Sequence, residues 1–303
     1  MKVGRFARCA VTFALSGMMA FSLVGCGGSG DVSTGSSDNI SAGEAKQGQS
    51  ELETIEESVL YDGANDGNGI VITAKEITDD AIFGKGLALQ IENKSDQNAT
   101  IQCDYVVVNG YMLTTDLFSA DVAAGKTANE TLYLSWGALE ESGMQAVGEV
   151  DVSFNILDSD TYETKFTTPE VAVKTSAADS IGEIDPASGT ELYNENGVRI
   201  VGTYVDENSF WGAGIKLYIE NNSGRDLEIQ CDNMSVNGYM MTPYFSCRVN
   251  NGRRALSEIT LMQDELESNG IDKIESAELN FNLYDPDTYE TVAQSGPVTF
   301  TVE

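Results

Sequence analysis

Carboxylates are the reactive groups this chain has in quantity, and imidazole is the one it lacks. Its 303 residues hold 48 Asp and Glu against 17 Lys and Arg, with no His, for a formal net charge of -31. Without His there is no Ser-His-Asp or Cys-His catalysis and no His-ligated zinc or haem. So negative a chain repels phosphate backbones, which argues against nucleic-acid binding. No Gly-x-Ser-x-Gly elbow, Gly-rich phosphate loop or Cys-x-x-Cys pair occurs. The expectation is a protein that is not an enzyme and that carries no resident cofactor.

Two acidic clusters are spaced for metal chemistry. Asp158, Asp160 and Glu163 lie in Asp-Ser-Asp-Thr-Tyr-Glu, and Asp285, Asp287 and Glu290 lie in Asp-Pro-Asp-Thr-Tyr-Glu. Asp-x-Asp offers two hard oxygens at close spacing, which suits calcium. The same residues nucleate β-turns through bonds from side chain to backbone. No central Gly of a calcium loop is present after them, and the turn is the favoured reading.

Arg248, Arg253 and Arg254 form the one basic cluster, a chemistry fit for gripping carboxylate or phosphate. They would then dock an acidic partner on the second half of the chain, the first half acting as a spacer. The competing reading is internal: loop arginines screen an acidic surface. Trp211, in Phe210-Trp211-Gly212, and Phe83, in Ile82-Phe83-Gly84, stand at the entry to alternating strands. Such aromatics either stack a sugar or partner side chain, or cover the open end of a core. Cys103 and Cys231 read as small buried hydrophobes. A Cys231–Cys247 bridge remains open as an alternative.

The elements that must carry these residues are written twice. Ile101-Gln-Cys-Asp104 recurs as Ile229-Gln-Cys-Asp232, and Val108-Asn-Gly-Tyr-Met112 as Val236-Asn-Gly-Tyr-Met240, both 128 residues on. The two Asp-x-Asp-Thr-Tyr-Glu-Thr segments are 127 apart, so one residue was lost between. Within each copy, short apolar or alternating runs read as strands. Examples are Gly69–Lys75, Leu87–Ile91 and Val150–Ile156, with Gly197–Thr203 and Ile215–Ile219 in the second copy. Ile101, Cys103 and Tyr105 are expected on one face of a strand. Asn109-Gly110 and Asn237-Gly238 are two-residue hairpin signals, since that turn needs positive φ twice. Short helices are expected over Trp136–Ser142 and Gln263–Asn269, each followed by Gly. The expected fold is all-β, two tandem immunoglobulin-like antiparallel β-sandwiches, each with one short helix. The expected domains are 59–175 and 190–303, joined by a linker over 176–189.

The N-terminal segment is a processing signal rather than structure. Lys2, Arg5 and Arg8 precede an apolar run from Ala10 to Val24, too short for a membrane span of about 20 residues. Leu23-Val24-Gly25-Cys26 resembles the lipobox of bacterial lipoproteins. The resemblance implies a signal peptide over 1–25, cleavage before Cys26 and a palmitate-type diacylglyceryl anchor on its sulfur. Cleavage removes three cations and no acids, taking -31 to -34. Residues 26–58 then read as the lipidated Cys and an acidic tether rich in Gly and Ser. The small residues after Cys26 fit Gram-positive lipoproteins, and so the extracellular face of the cytoplasmic membrane.

The order Ile-Glu-Asn-x-Ser, Val-Asn-Gly-Tyr, a Gly-Lys or Gly-Arg turn, a short helix and Asp-x-Asp-Thr is similar to a little-characterised immunoglobulin-like domain of surface lipoproteins. That resemblance covers both copies and implies fold and location, with no activity to transfer. Together these features suggest a non-catalytic binding or scaffolding module at the cell surface, its partner a surface protein or glycan. The alternative is a solute- or calcium-binding accessory lipoprotein.

Overall fold

The computed structural model describes residues 53–63, 68–113, 118–141, 143–182, 189–209 and 211–302. The lipobox, Cys26 and most of the tether lie outside the described residues. Residues 50–303 belong to one compact unit.

In the first repeat the strands are β1 (Ser58–Asp62), β2 (Ile70–Asp80), β3 (Gly84–Asn93), β4 (Ala99–Val108), β5 (Tyr111–Met112), β6 (Ser119–Val122) and β7 (Thr127–Tyr133). Helix α1 (Trp136–Glu141) comes next, then β8 (Glu149–Asp158), β9 (Thr164–Thr167) and β10 (Val171–Lys174). The second repeat copies this as β11 (Thr190–Glu195), β12 (Val198–Ser209), β13 (Gly212–Asn221), β14 (Leu227–Val236), β15 (Tyr239–Met240), β16 (Ser246–Val249) and β17 (Arg253–Met262). It ends with α2 (Gln263–Ser268), β18 (Ser276–Tyr284) and β19 (Thr291–Thr301), one strand where the first repeat has two.

Sheet order explains why these short strands bury a core. In the first repeat β1-β2-β3-β7 form one sheet, and β4 pairs with β8, β5 and β6, with β9 and β10 on β8. Alternate side chains of the two layers meet: Ile72, Leu87, Leu89, Ile91 and Leu132 from one, Ile101, Val106, Phe154 and Ile156 from the other. This connectivity, β2-β3-β7 facing β4-β8-β9/β10, is that of an immunoglobulin-like sandwich. The second repeat has the same layers around Ile200, Ile215, Leu217, Ile229, Leu279 and Phe281. The protein is therefore all-β, two tandem antiparallel sandwiches with one short helix each.

The hairpin expectation holds in detail. Asn109 and Gly110 have φ of 54° and 83°, and Asn237 and Gly238 have 50° and 85°. Each Asn also ties its hairpin to the strand entering from α1 or α2. Asn109 Oδ1 accepts from the amides of Gly148 and Glu149, and Asn237 Oδ1 from those of Glu275 and Ser276.

One strand departs from the alternation expected of it. The β4–β8 register shifts between Cys103 and Tyr105, a bulge that reverses the facing of the remaining β4 residues. Tyr105 leaves the face of Ile101 and packs against the second repeat's core, while Val106 and Val108 turn into the first. In β14 the same shift falls between Asp232 and Ser235, with Asn233 at φ 50°.

The two sandwiches are not separate beads. Strand β5 of the first repeat pairs in parallel with β17 of the second, Tyr111 opposite Arg254 and Met112 opposite Ala255. One ten-stranded sheet therefore runs β10-β8-β4-β5-β17-β13-β12-β11 through both repeats, with β6 on β4 and β9 on β8 beside that path.

Candidate functional site

The Asp-x-Asp segments are built as turns. Asp158 Oδ1 accepts from the amides of Asp160 and Thr161 at 2.9 and 3.1 Å. Asp285 Oδ1 accepts from Asp287 and Thr288 in the same way, at 3.1 and 3.0 Å. The turn closes when Tyr162 and Tyr289, both at φ 57°, donate their amides back to the carbonyls of Asp158 and Asp285. Asp158 Oδ2 meets Lys165 at 2.7 Å. That bond, then the two amides, hold the Asp158 carboxyl at a pKa of about 2. The amide and hydroxyl of Thr288 likewise lower Asp285. Asp160, Glu163, Asp287 and Glu290 are exposed around these turns. Among the described residues no group of three or more acids or cysteines is placed to hold a metal ion.

The Ile-Glu-Asn-x-Ser motif is also structural. Asn93 Nδ2 donates to the carbonyls of Gln97 and Val122, and its Oδ1 accepts from Ser95. Asn221 repeats this with Arg225, Val249 and Ser223. One buried amide thus fastens the β3–β4 or β13–β14 turn to the neighbouring β6 or β16.

The arginines lie at the junction of the two repeats, and the acids they meet belong to the chain's own first repeat. Arg253 Nη1 is 2.7 Å from Asp151, and Nη2 is 2.7 Å from Glu170. Arg248 lies 3.7 Å from Asp104 and over the Tyr105 ring, 5.7 Å from its centroid. The Arg254 amide donates to the Gly110 carbonyl at 3.1 Å, and its guanidinium lies 5.7 Å from the Tyr111 ring centroid. The cluster is therefore no open basic patch, because the first repeat itself supplies acids to Arg248 and Arg253. Burial raises the Asp151 carboxyl, opposed by the Arg253 charge. Burial and then the Glu170 charge raise the Tyr105 phenol, which donates to Glu170 Oε2 at 3.0 Å.

Apolar groups fill the same junction. Val107 and Met112 are buried in the second repeat's core cluster, and Val201 and Tyr218 in the first's. Tyr111 and Tyr218 meet edge to face, ring centroids 6.4 Å apart. The sequence carries a signal for this that strand alternation alone passes over. Val106-Val107-Val108 is apolar at three successive positions, whereas the second copy reads Met234-Ser235-Val236. An apolar residue where alternation demands a polar one marks a strand buried on both faces.

Trp211 sits just before β13 and is exposed. Phe83 is likewise exposed and packs on Tyr133, ring centroids 4.9 Å apart, so it does not cover the core. Cys231 and Cys247 are separate thiols. Cys247 is paired with Ile229 rather than Cys231, and burial pushes both thiols up to about 12. A buried ion pair that the sequence does not announce joins Lys85 to Glu53, whose Oε1 also accepts from the Val147 amide.

No family model matches the chain, and no curated protein matches it. Solved structures with which it aligns include the YadV chaperone, at 11% identity over 77% of this chain and all of that one, TM-score 0.24. They also include the Salmonella enterica SafA pilin in complex with the SafB chaperone, at 13% identity over 72% of this chain and 89% of that one, TM-score 0.20. A Bacteroides uniformis β-glucuronidase aligns at 11% identity over 78% of this chain and 26% of that one, TM-score 0.23. At these scores none of them carries an argument about function.

Proposed function

We propose that this protein is a lipid-anchored, non-catalytic scaffolding module on the outer face of the cytoplasmic membrane. Cys26 carries the lipid and the two-sandwich body carries the binding surface. The observation behind this reading is the junction. Charged and aromatic groups of the kind that grip ligands are here used to weld two repeats into one continuous sheet. A body joined by a parallel strand pair, buried Tyr and Met side chains and paired arginines holds its two ends at a fixed separation, which is a scaffold's task. The acidic turns support it by contrast, because Asp158 and Asp285 are engaged in closing loops. The Leu23–Cys26 segment supports the anchor. Metabolic labelling with an alkyne fatty acid tests that anchor. Label should be present in the wild type and absent in Cys26→Ala, and equal label in both would show that Cys26 carries no lipid.

A further inference from the structure

The internal junction has a second, open copy of its receiving half. In the first repeat, the hairpin strand β5 is covered by β17, and Tyr111 and Met112 are 2% and 3% exposed. The equivalent residues of the second repeat, Tyr239 and Met240 in β15, are 52% and 66% exposed. Strand β15 ends its sheet, which runs β15-β14-β18-β19, and among the described residues no strand pairs with its outer side. Two of the three acids that meet arginine at the junction also have counterparts here, whereas Glu170 is replaced by Pro297. Asp104 corresponds to Asp232, and Asp151, opposite Val107, corresponds to Glu278, opposite Ser235. Both Asp232 and Glu278 are exposed.

We propose that β15 receives, by parallel strand addition, the edge strand of a separate protein whose first residues after a turn are two adjacent arginines. Main-chain bonds to an open edge supply affinity, and the side chains beside it supply choice. At the internal junction that choice is Gly252-Arg253-Arg254, so the same chemistry is expected where the receiving surface recurs. A second copy of this chain fits less well. Among the described residues its open donor edge is β7, which Lys126 precedes and Thr127 begins, where β17 begins Arg253 and Arg254. Asp121 stands in place of Arg248, and would bring a carboxylate toward Asp232. Ser235 and Asn233 replace Val107 and Tyr105, which makes the open surface more polar than the closed one and the expected contact reversible.

The inference deepens the scaffold reading but needs no membrane, so its outcome is separable from that of the lipid anchor. The probe is a blocked peptide of residues 251–260, Asn-Gly-Arg-Arg-Ala-Leu-Ser-Glu-Ile-Thr, added to the isotope-labelled full chain up to about 1 mM, where weak contacts are seen. Amide resonances of Gly238, Tyr239 and Met240 should move with peptide. A peptide with both arginines changed to Glu should bind at least about tenfold more weakly, and so should the wild-type peptide to Asp232→Asn with Glu278→Gln. No movement, or movement at Tyr111 and Met112 instead, overturns the proposal. Movement of the same amides with protein concentration alone, accompanied by dimers in sedimentation, would assign the edge to a second copy and overturn it too.

Discussion

The two hairpin edges have nearly the same sequence and opposite fates. Asn109-Gly-Tyr-Met112 and Asn237-Gly-Tyr-Met240 fold to the same turn, yet one lies inside a ten-stranded sheet and the other faces water. The difference is made outside the motif. The covered edge has Val107 and Tyr105 beside it and Arg253 and Arg254 opposite, whereas the open edge has Ser235 and Asn233. A hairpin motif sets the local backbone, and its neighbours decide whether the edge is an interior or a surface.

The comparison breaks most visibly at the tyrosines. Tyr111→Ala should destabilise the chain by about 3–5 kcal/mol, the cost of emptying a large buried aromatic site. Tyr239→Ala should change stability by less than about 0.5 kcal/mol, as exposed substitutions do. Urea unfolding of the two variants checks both values, and similar losses would mean that the two edges are equally buried.

Arg253 is next. Its replacement by Ala leaves Asp151, 5% exposed, without its cation. With the guanidinium itself partly exposed, we expect a loss of about 2–3 kcal/mol. The counterpart Lys126→Ala should cost less than about 0.5 kcal/mol. The same urea series reads both, and equal effects would place the junction's charge pairs at the surface.

Acid separates the junction from the turns by sign rather than size. The Asp158 carboxyl is lowered to about 2, chiefly by Lys165, so its contribution is fully present above the ordinary 3.8 and is lost as pH falls through about 2. The Asp151 carboxyl is raised above 3.8 by burial, so its contribution declines as pH rises through the window above that value. Carboxyl resonances tracked from pH 7 downward should show Asp151 protonating before Asp158. In Lys165→Ala the Asp158 midpoint should rise while that of Asp285 stays in place.

Much of this fold is legible in the chain. Duplication at a fixed offset, the Asn-Gly turns and alternation such as Leu87, Leu89, Ile91 all lead to the strands observed. What alternation alone cannot show is the bulge after Cys103, because the sequence has no residue there that forces positive φ. The bulge is what sends Tyr105 and Val107 toward the other repeat. The arginines are legible as a cluster but not as a junction, since their acids, Asp151 and Glu170, lie about a hundred residues away and match no local pattern. The pairing of Lys85 with Glu53 has the same origin.

The most direct test of the joined sheet is amide hydrogen exchange at two equivalent positions. Asn93 donates to the Lys126 carbonyl, so antiparallel alternation turns the next amide of β7, Thr127, to the open side. Its counterpart, Arg254 in β17, points the same way and meets the Gly110 carbonyl of the first repeat. A sheet shared by both repeats predicts that Arg254 is protected as strongly as the core strands while Thr127 exchanges at close to the rate of an unprotected amide. Equal, fast exchange at both would show two sandwiches that do not share a sheet, and would contradict the joined architecture.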